Sequence, residues 1–199
     1  MADTKISAAP VIVDPTGIEE FGINDAGASK KESAGLLYGP SIELTAAYTL
    51  VSQTAAQKAF NAPAGGALTL KANTTYFFEV LISLTAMSGT SGAFGFALGG
   101  TATLTRQAWM AFAQKAGALA TPNTDQITFN TAANVALVTA STVTTGQMWI
   151  RGIIRVGATG TVIPQVSLGV AAAAVVGVDS YAWFKPVGAD TVQSVGNWA

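Results

Sequence analysis

Tyr76-Phe-Phe-Glu-Val-Leu-Ile-Ser-Leu84 decides the fold. In an extended chain successive side chains point to opposite faces. Tyr76, Phe78, Val80, Ile82 and Leu84 then share one face, and Phe77, Glu79, Leu81 and Ser83 share the other. The same period of two recurs along the chain. Phe94, Phe96 and Leu98 alternate with Gly95 and Ala97. Ile150, Ile154 and Val156 alternate with Trp149, Arg151, Ile153 and Arg155. Val162, Pro164, Val166 and Leu168 oppose Thr161, Ile163, Gln165 and Ser167, and Tyr181, Trp183, Lys185 and Val187 oppose Ala182 and Phe184. Turn chemistry separates these runs at Ser88-Gly-Thr-Ser-Gly92, Gly99-Gly100, Thr144-Thr-Gly146 and Gly157-Ala-Thr-Gly160. Many short strands punctuated in this way predict an all-β protein with a β-sandwich or jelly-roll-like body. Residues 106–116 fit a helix by propensity but are assigned to a strand. Gly95-Phe-Ala-Leu-Gly-Gly100 is no phosphate loop, because no Lys-Ser/Thr follows it; it reads as a strand approached closely by another backbone or a bulky side chain.

The chain changes character near residue 40. Nine of its charged residues precede that point: Asp3, Lys5, Asp14, Glu19, Glu20, Asp25, Lys30, Lys31 and Glu32. Pro10, Pro15, Gly17, Gly22, Gly27, Gly35, Gly39 and Pro40 argue against long regular elements there. Two short strands, Ile18 to Ile23 and Ser29 to Ser33, are expected on either side of an Asn24-Asp-Ala-Gly27 turn. The expected organisation is a short irregular N-terminal arm, residues 1–40, and a sandwich body for oligomerisation and display, residues 41–199.

Composition narrows the function. Half of the residues are hydrophobic and 11% are charged, against roughly a quarter charged in an average soluble protein. A chain so poor in charge suits burial of surface against copies of itself, since obligate interfaces resemble a core cut in half. Val80 to Thr105 and Gly157 to Val178 carry no charge, but glycines and Pro164 interrupt them, so no membrane insertion is expected. Met-Ala-Asp-Thr-Lys5 lacks the layout of a secretory signal, which predicts synthesis in the cytoplasm. With no Cys and no His, disulfides, the usual Cys/His zinc sites, catalytic triads and His general bases are excluded. Net charge is −1 and the one basic cluster is Lys30-Lys31, so nucleic-acid binding is not expected. No cofactor, metal site or catalytic residue is predicted.

One set of side chains stands out as a surface. Trp149, Arg151 and Arg155 alternate along one strand, and Tyr181, Trp183 and Lys185 along another. If those strands are neighbours, the six form an aromatic and basic face. Such a face stacks on sugar rings or nucleobases and holds anions. Aromatics and Arg are also enriched in subunit interfaces, and the interface is the favoured expectation.

Thr4-Lys-Ile-Ser-Ala8, Thr16-Gly-Ile-Glu-Glu20 and Gly27-Ala-Ser-Lys-Lys31 resemble the N-terminal motif of tailed-bacteriophage structural and fibre-like proteins. The chain departs from that motif at Ala9-Pro-Val-Ile-Val13, where a Leu-Pro-Ala run is more usual. Asn73-Thr-Thr-Tyr-Phe-Phe-Glu79, Ala93 to Ala102, Gly160-Thr-Val-Ile-Pro-Gln165 and Ser194 to Ala199 are similar to a C-terminal β-domain of phage virion proteins. The resemblance implies a virion-surface structural protein, a trimeric decoration, cement or short fibre-like component. Its partners would be its own copies and other virion proteins of capsid, collar or tail. On this resemblance Lys5, Ile6, Glu19, Glu20, Lys30 and Lys31 are candidates for attachment to the particle. A receptor-binding fibre or tail-tip protein recognising host glycan is the alternative. A polysaccharide-cleaving tailspike is a remoter one, because such an enzyme needs two carboxylates about 5–10 Å apart. Glu19 and Glu20 point to opposite faces of a strand, and nothing pairs Glu79, Asp125, Asp179 and Asp190. The expectation is that the chain is not an enzyme.

Overall fold

The computed structural model describes residues 20–25, 28–33, 39–61, 64–115, 127–139 and 142–188. The described strands, in chain order, are β1 (Glu20–Asp25), β2 (Ala28–Ser33), β3 (Ser41–Glu43), β4 (Tyr48–Thr49), β5 (Gln57–Lys58), β6 (Leu68–Leu70), β7 (Thr74–Thr85), β8 (Phe94–Gly100), β9 (Thr103–Lys115), β10 (Ile127–Phe129), β11 (Val135–Val138), β12 (Gly146–Ala158), β13 (Gly160–Leu168), β14 (Val175–Val176) and β15 (Tyr181–Gly188). The protein is all-β, and residues 106–115 are strand, inside β9.

The chain divides by its contacts into Met1–Gly39 and Pro40–Ala199. In the first unit β1 and β2 pair antiparallel, with Gly22 opposite Lys31 and Ile23 opposite Lys30. Asn24 and Asp25 continue the ladder opposite Ser29 and Ala28, so both strands extend further towards each other than the expected Ile18–Ile23 and Ser29–Ser33.

The second unit is a sandwich of two antiparallel sheets. The larger, of eight strands, runs β10-β9-β12-β7, and the far edge of β7 is shared by β15 and β14; β3 then flanks β15, and β4 flanks β14. The smaller, of five strands, runs β11-β8-β13, with β5 and β6 along the other edge of β13. The long pairings are nested: β7 with β15, β8 with β13, β9 with β12. Such nesting is a long hairpin rolled up so that its arms fall alternately into one sheet and the other, the scheme of a jelly roll.

The roll turns at paired corners. Thr101 and Ala102 separate β8 in the small sheet from β9 in the large one, and Thr159 alone separates β12 from β13. Gly157-Ala-Thr-Gly160 is therefore a corner between sheets. The two corners clasp each other: the N–H groups of Thr101 and Ala102 donate to the Thr161 carbonyl at 2.9 and 3.0 Å, and Thr161 N–H donates to Thr101 Oγ1 at 3.0 Å. Gly100 makes the bend possible with φ of 112°, a conformation open chiefly to glycine. A side chain at Gly160 would collide with the backbone of Ala102.

Burial follows the alternation. Phe78, Val80, Ile82 and Leu84 of β7 are buried with Ile150 and Ile154 of β12 and Phe184 of β15, facing Phe94, Phe96, Val162 and Val166 of the small sheet. Phe78 stacks on Phe184 at 5.4 Å, and Phe96 meets Trp109 edge-on at 5.4 Å, both favoured aromatic geometries. Trp109 Nε1 donates to the Thr131 carbonyl at 2.7 Å, which satisfies the one polar atom of that buried ring. Gly95 gives room on the outside of β8, where a Cβ would strike the Val135 carbonyl and Ser167 Oγ. Among the described residues no helix is long and apolar enough to cross a membrane.

Candidate functional site

The outer face of the eight-stranded sheet carries the side chains that the core does not use. β12 and β15 are not neighbours; β7 lies between them and pairs with both. The six residues expected from sequence nevertheless share one face, because antiparallel partners directly opposite lie on the same side. Arg151 and Trp183 flank Glu79 on its two sides, Trp149 and Tyr181 flank Leu81, and Lys185 lies opposite Phe77. Arg155 stands at the end of the face, and its Nη1 donates to Thr75 Oγ1 at 3.1 Å.

At the centre sits a carboxylate with both oxygens engaged. Arg151 Nε lies 3.0 Å from Glu79 Oε2. The Tyr181 hydroxyl donates to Glu79 Oε1 at 2.6 Å. The Glu79 side chain is only 14% exposed, against 44% for Arg151, so its charge is largely withdrawn from water and tied to a cation and a phenol. The guanidinium also lies over two rings, 5.6 Å from the centre of Phe77 and 5.2 Å from that of Trp149, within cation–π range. Phe77 in turn meets Trp183 at 5.8 Å, and Trp149 meets Phe112 of β9 at 5.6 Å. Four aromatic rings on four adjacent strands are thus linked through the Arg151 guanidinium, which Glu79 and through it Tyr181 hold in place. At the far end Gln147 Nε2 donates to Ser83 Oγ, which donates to Asp179 Oδ2 at 2.7 Å.

Glu79, Phe77 and Phe112 were not singled out by sequence reasoning. Glu79 had a legible signal. It is the one charge between Tyr76 and Leu84, and a lone carboxylate amid apolar residues on a strand calls for a cation opposite it.

The arrangement predicts an alkaline dependence of stability. The hydrogen bond to Glu79 is the largest influence on Tyr181, followed by burial and the carboxylate's charge; against a smaller opposing pull from Arg151 they push the phenol up to about 12. An unperturbed tyrosine titrates near 10. The folded state therefore holds this proton more tightly than the unfolded one, so the stabilisation is complete below about pH 10 and lost as pH rises through about 12. Thermal melts of the wild type and Tyr181→Phe across pH 8–12 should converge as pH rises. A constant gap between the two would show that this phenol does not carry the dependence.

Beside Tyr181 the surface dips. Ser41, Ile42 and Glu43 of β3 and Tyr181, Ala182 and Trp183 of β15 line a depression of about 280 Å³. Tyr181 lies opposite Glu43, and Trp183 opposite Ser41.

Compared with known protein families, with curated proteins and with solved structures, the chain matches none.

The attachment candidates fall in the first unit. Glu20 lies in β1, and Lys30 and Lys31 in β2; Lys5, Ile6 and Glu19 lie outside the described residues. Among the described residues no three His, Cys, Asp or Glu side chains come close enough to hold a metal ion.

Proposed function

We propose that this chain is a structural component of a bacteriophage particle, attached to the virion surface by its N-terminal unit and assembled as a homotrimer through the outer face of its large sheet. The observation that carries self-assembly is the character of that face. Where a solvated sheet places polar residues, β9, β12 and β7 place Phe112, Trp149, Ile153, Phe77 and Leu81 around the Arg151–Glu79 pair. Trp149 is still 36% exposed, and covering it removes large apolar area from water, worth about 25 cal/mol per Å². Aromatic and Arg anchors surrounded by a polar rim are the composition of interface hot spots. The assignment to a phage particle rests on the resemblance of residues 4–8, 16–20 and 27–31, and of the segments in the body, to virion proteins.

Light scattering at micromolar concentration is expected to return three times the 20.2 kDa chain mass; a monomer mass would remove the assembly role. Deleting residues 1–35 is expected to leave a folded body that no longer co-sediments with particles lacking the protein. Full occupancy by the truncated form would move the anchor to the sandwich. Failure of the truncated form to fold would make the arm part of the core.

A further inference from the structure

We propose that the depression between β3 and β15 is a binding site for a neutral sugar ring. The inference goes beyond the assembly reading: the depression lies on the same outer face but at its β3 edge, away from β9 and β12, and it is tested separately from assembly.

The site begins with a size mismatch across two strands. Trp183 is the bulkiest residue of β15, and the residue opposite it is Ser41. Opposed side chains normally cover each other at about 5 Å, but a serine is too short to cover an indole. The flank of Trp183 towards β3 is left open, and the depression of about 280 Å³ is the result. That volume is at the small end of ligand pockets, about 300 Å³ and upward, which suits one pyranose ring rather than a long chain.

The lining is chemically specific. The indole supplies an apolar platform for the C–H face of a sugar, and its other neighbour, Phe77 at 5.8 Å, holds it in place from the β7 side. The Tyr181 ring is fixed as well, because its hydroxyl is spent on Glu79. At the rim stand the Ser41 hydroxyl and the Glu43 carboxylate, both exposed, and no described residue bonds to the Glu43 carboxylate. A ring with a C–H face and a fringe of hydroxyl donors meets all of these groups at once: stacking on carbon, donation to a carboxylate, exchange with a hydroxyl. Among the described residues no cation lines the depression, and Glu43 repels a second carboxylate. The ligand class is therefore a neutral hexose or N-acetylhexosamine, and uronic acids are disfavoured.

Titration of the full-length protein with glucose, galactose, mannose, N-acetylglucosamine and glucuronic acid tests this, read by indole N–H chemical shifts and tryptophan fluorescence. At least one neutral sugar is expected to shift the Trp183 resonance with a millimolar dissociation constant, and glucuronic acid to bind at least about tenfold more weakly, the factor that 1.4 kcal/mol supplies. Ser41→Trp should fill the depression and abolish the shift with the melting temperature unchanged, a variant that removes nothing from the core. Glu43→Gln should weaken the neutral sugar and admit glucuronic acid. Absence of any shift at Trp183 with all four neutral sugars overturns the proposal. So does a shift that survives Ser41→Trp, or one that moves to Trp149. The mass of the assembly, measured on the same samples, reports separately on the oligomer.

Discussion

Trp109→Ala is expected to destabilise the body by about 3–5 kcal/mol, the range for deleting a buried large aromatic. Two losses coincide at this position, and a third contact limits relaxation. The ring is 2% exposed and fills the space between β9 and the small sheet, where it meets Phe96 at 5.4 Å. Its Nε1 donates to the Thr131 carbonyl at 2.7 Å, tying the segment after β10 to the sheet. Gly152 of β12 lies directly opposite, and a Cβ there would strike Trp109. The sandwich has thus been built around this residue, and collapse into the cavity would require β9 and β12 to close over a glycine. Chemical denaturation with the unfolding slope held fixed checks the size. Trp109→Phe separates the contributions: it retains most of the volume and loses the hydrogen bond, so it should cost visibly less than alanine. If alanine costs under about 1 kcal/mol, the Phe96–Trp109 contact does not organise the core as described.

Trp149→Ala is expected to leave the body folded and to weaken the trimer by about 2–4 kcal/mol per interface, roughly 30- to 1,000-fold in dissociation constant. The ring points out of the sandwich and remains 36% exposed, so its removal opens no cavity in the core. It does remove the platform that holds the Arg151 guanidinium at 5.2 Å and the neighbour that Phe112 meets at 5.6 Å. Sedimentation across a concentration series, run beside a thermal melt, separates the two effects. A lowered melting temperature with an unchanged trimer would make Trp149 a residue of monomer stability. An unchanged trimer and an unchanged melt together would remove the outer face of β12 from the interface.

The all-β class was legible in the chain because strand periodicity is local. The burial of Phe78, Val80, Ile82 and Leu84 against the partial exposure of Phe77, Glu79, Leu81 and Ser83 follows from the pleat of one strand, whatever lies beside it. So does the common facing of Trp149 and Arg151, or of Tyr181 and Trp183. Residues 106–116 were ambiguous because Ala, Gln and Met serve a helix equally well; pairing of β9 along nearly the whole of β12 decided for strand as far as Lys115, and Ala116 lies outside the described residues. The punctuation at Gly157-Ala-Thr-Gly160 was visible, but a sheet-to-sheet corner and a hairpin turn use the same small residues. Only the pairing of β12 with β7 and β9, and of β13 with β8, distinguishes them.

The outer face divides in the same way. Sequence alone determined that two aromatic–basic trios exist and that each lies on one side of its strand. Tertiary structure decided that β7 stands between them, which places Glu79 within reach of both Arg151 and Tyr181 although Tyr181 is 102 residues away in the chain. It also placed the short Ser41 opposite Trp183 and so left one flank of that ring open. No local pattern reports either fact. Strand order is set by the packing of the whole roll, and a carboxylate's partners and a ring's uncovered flank depend on which strand comes to lie alongside.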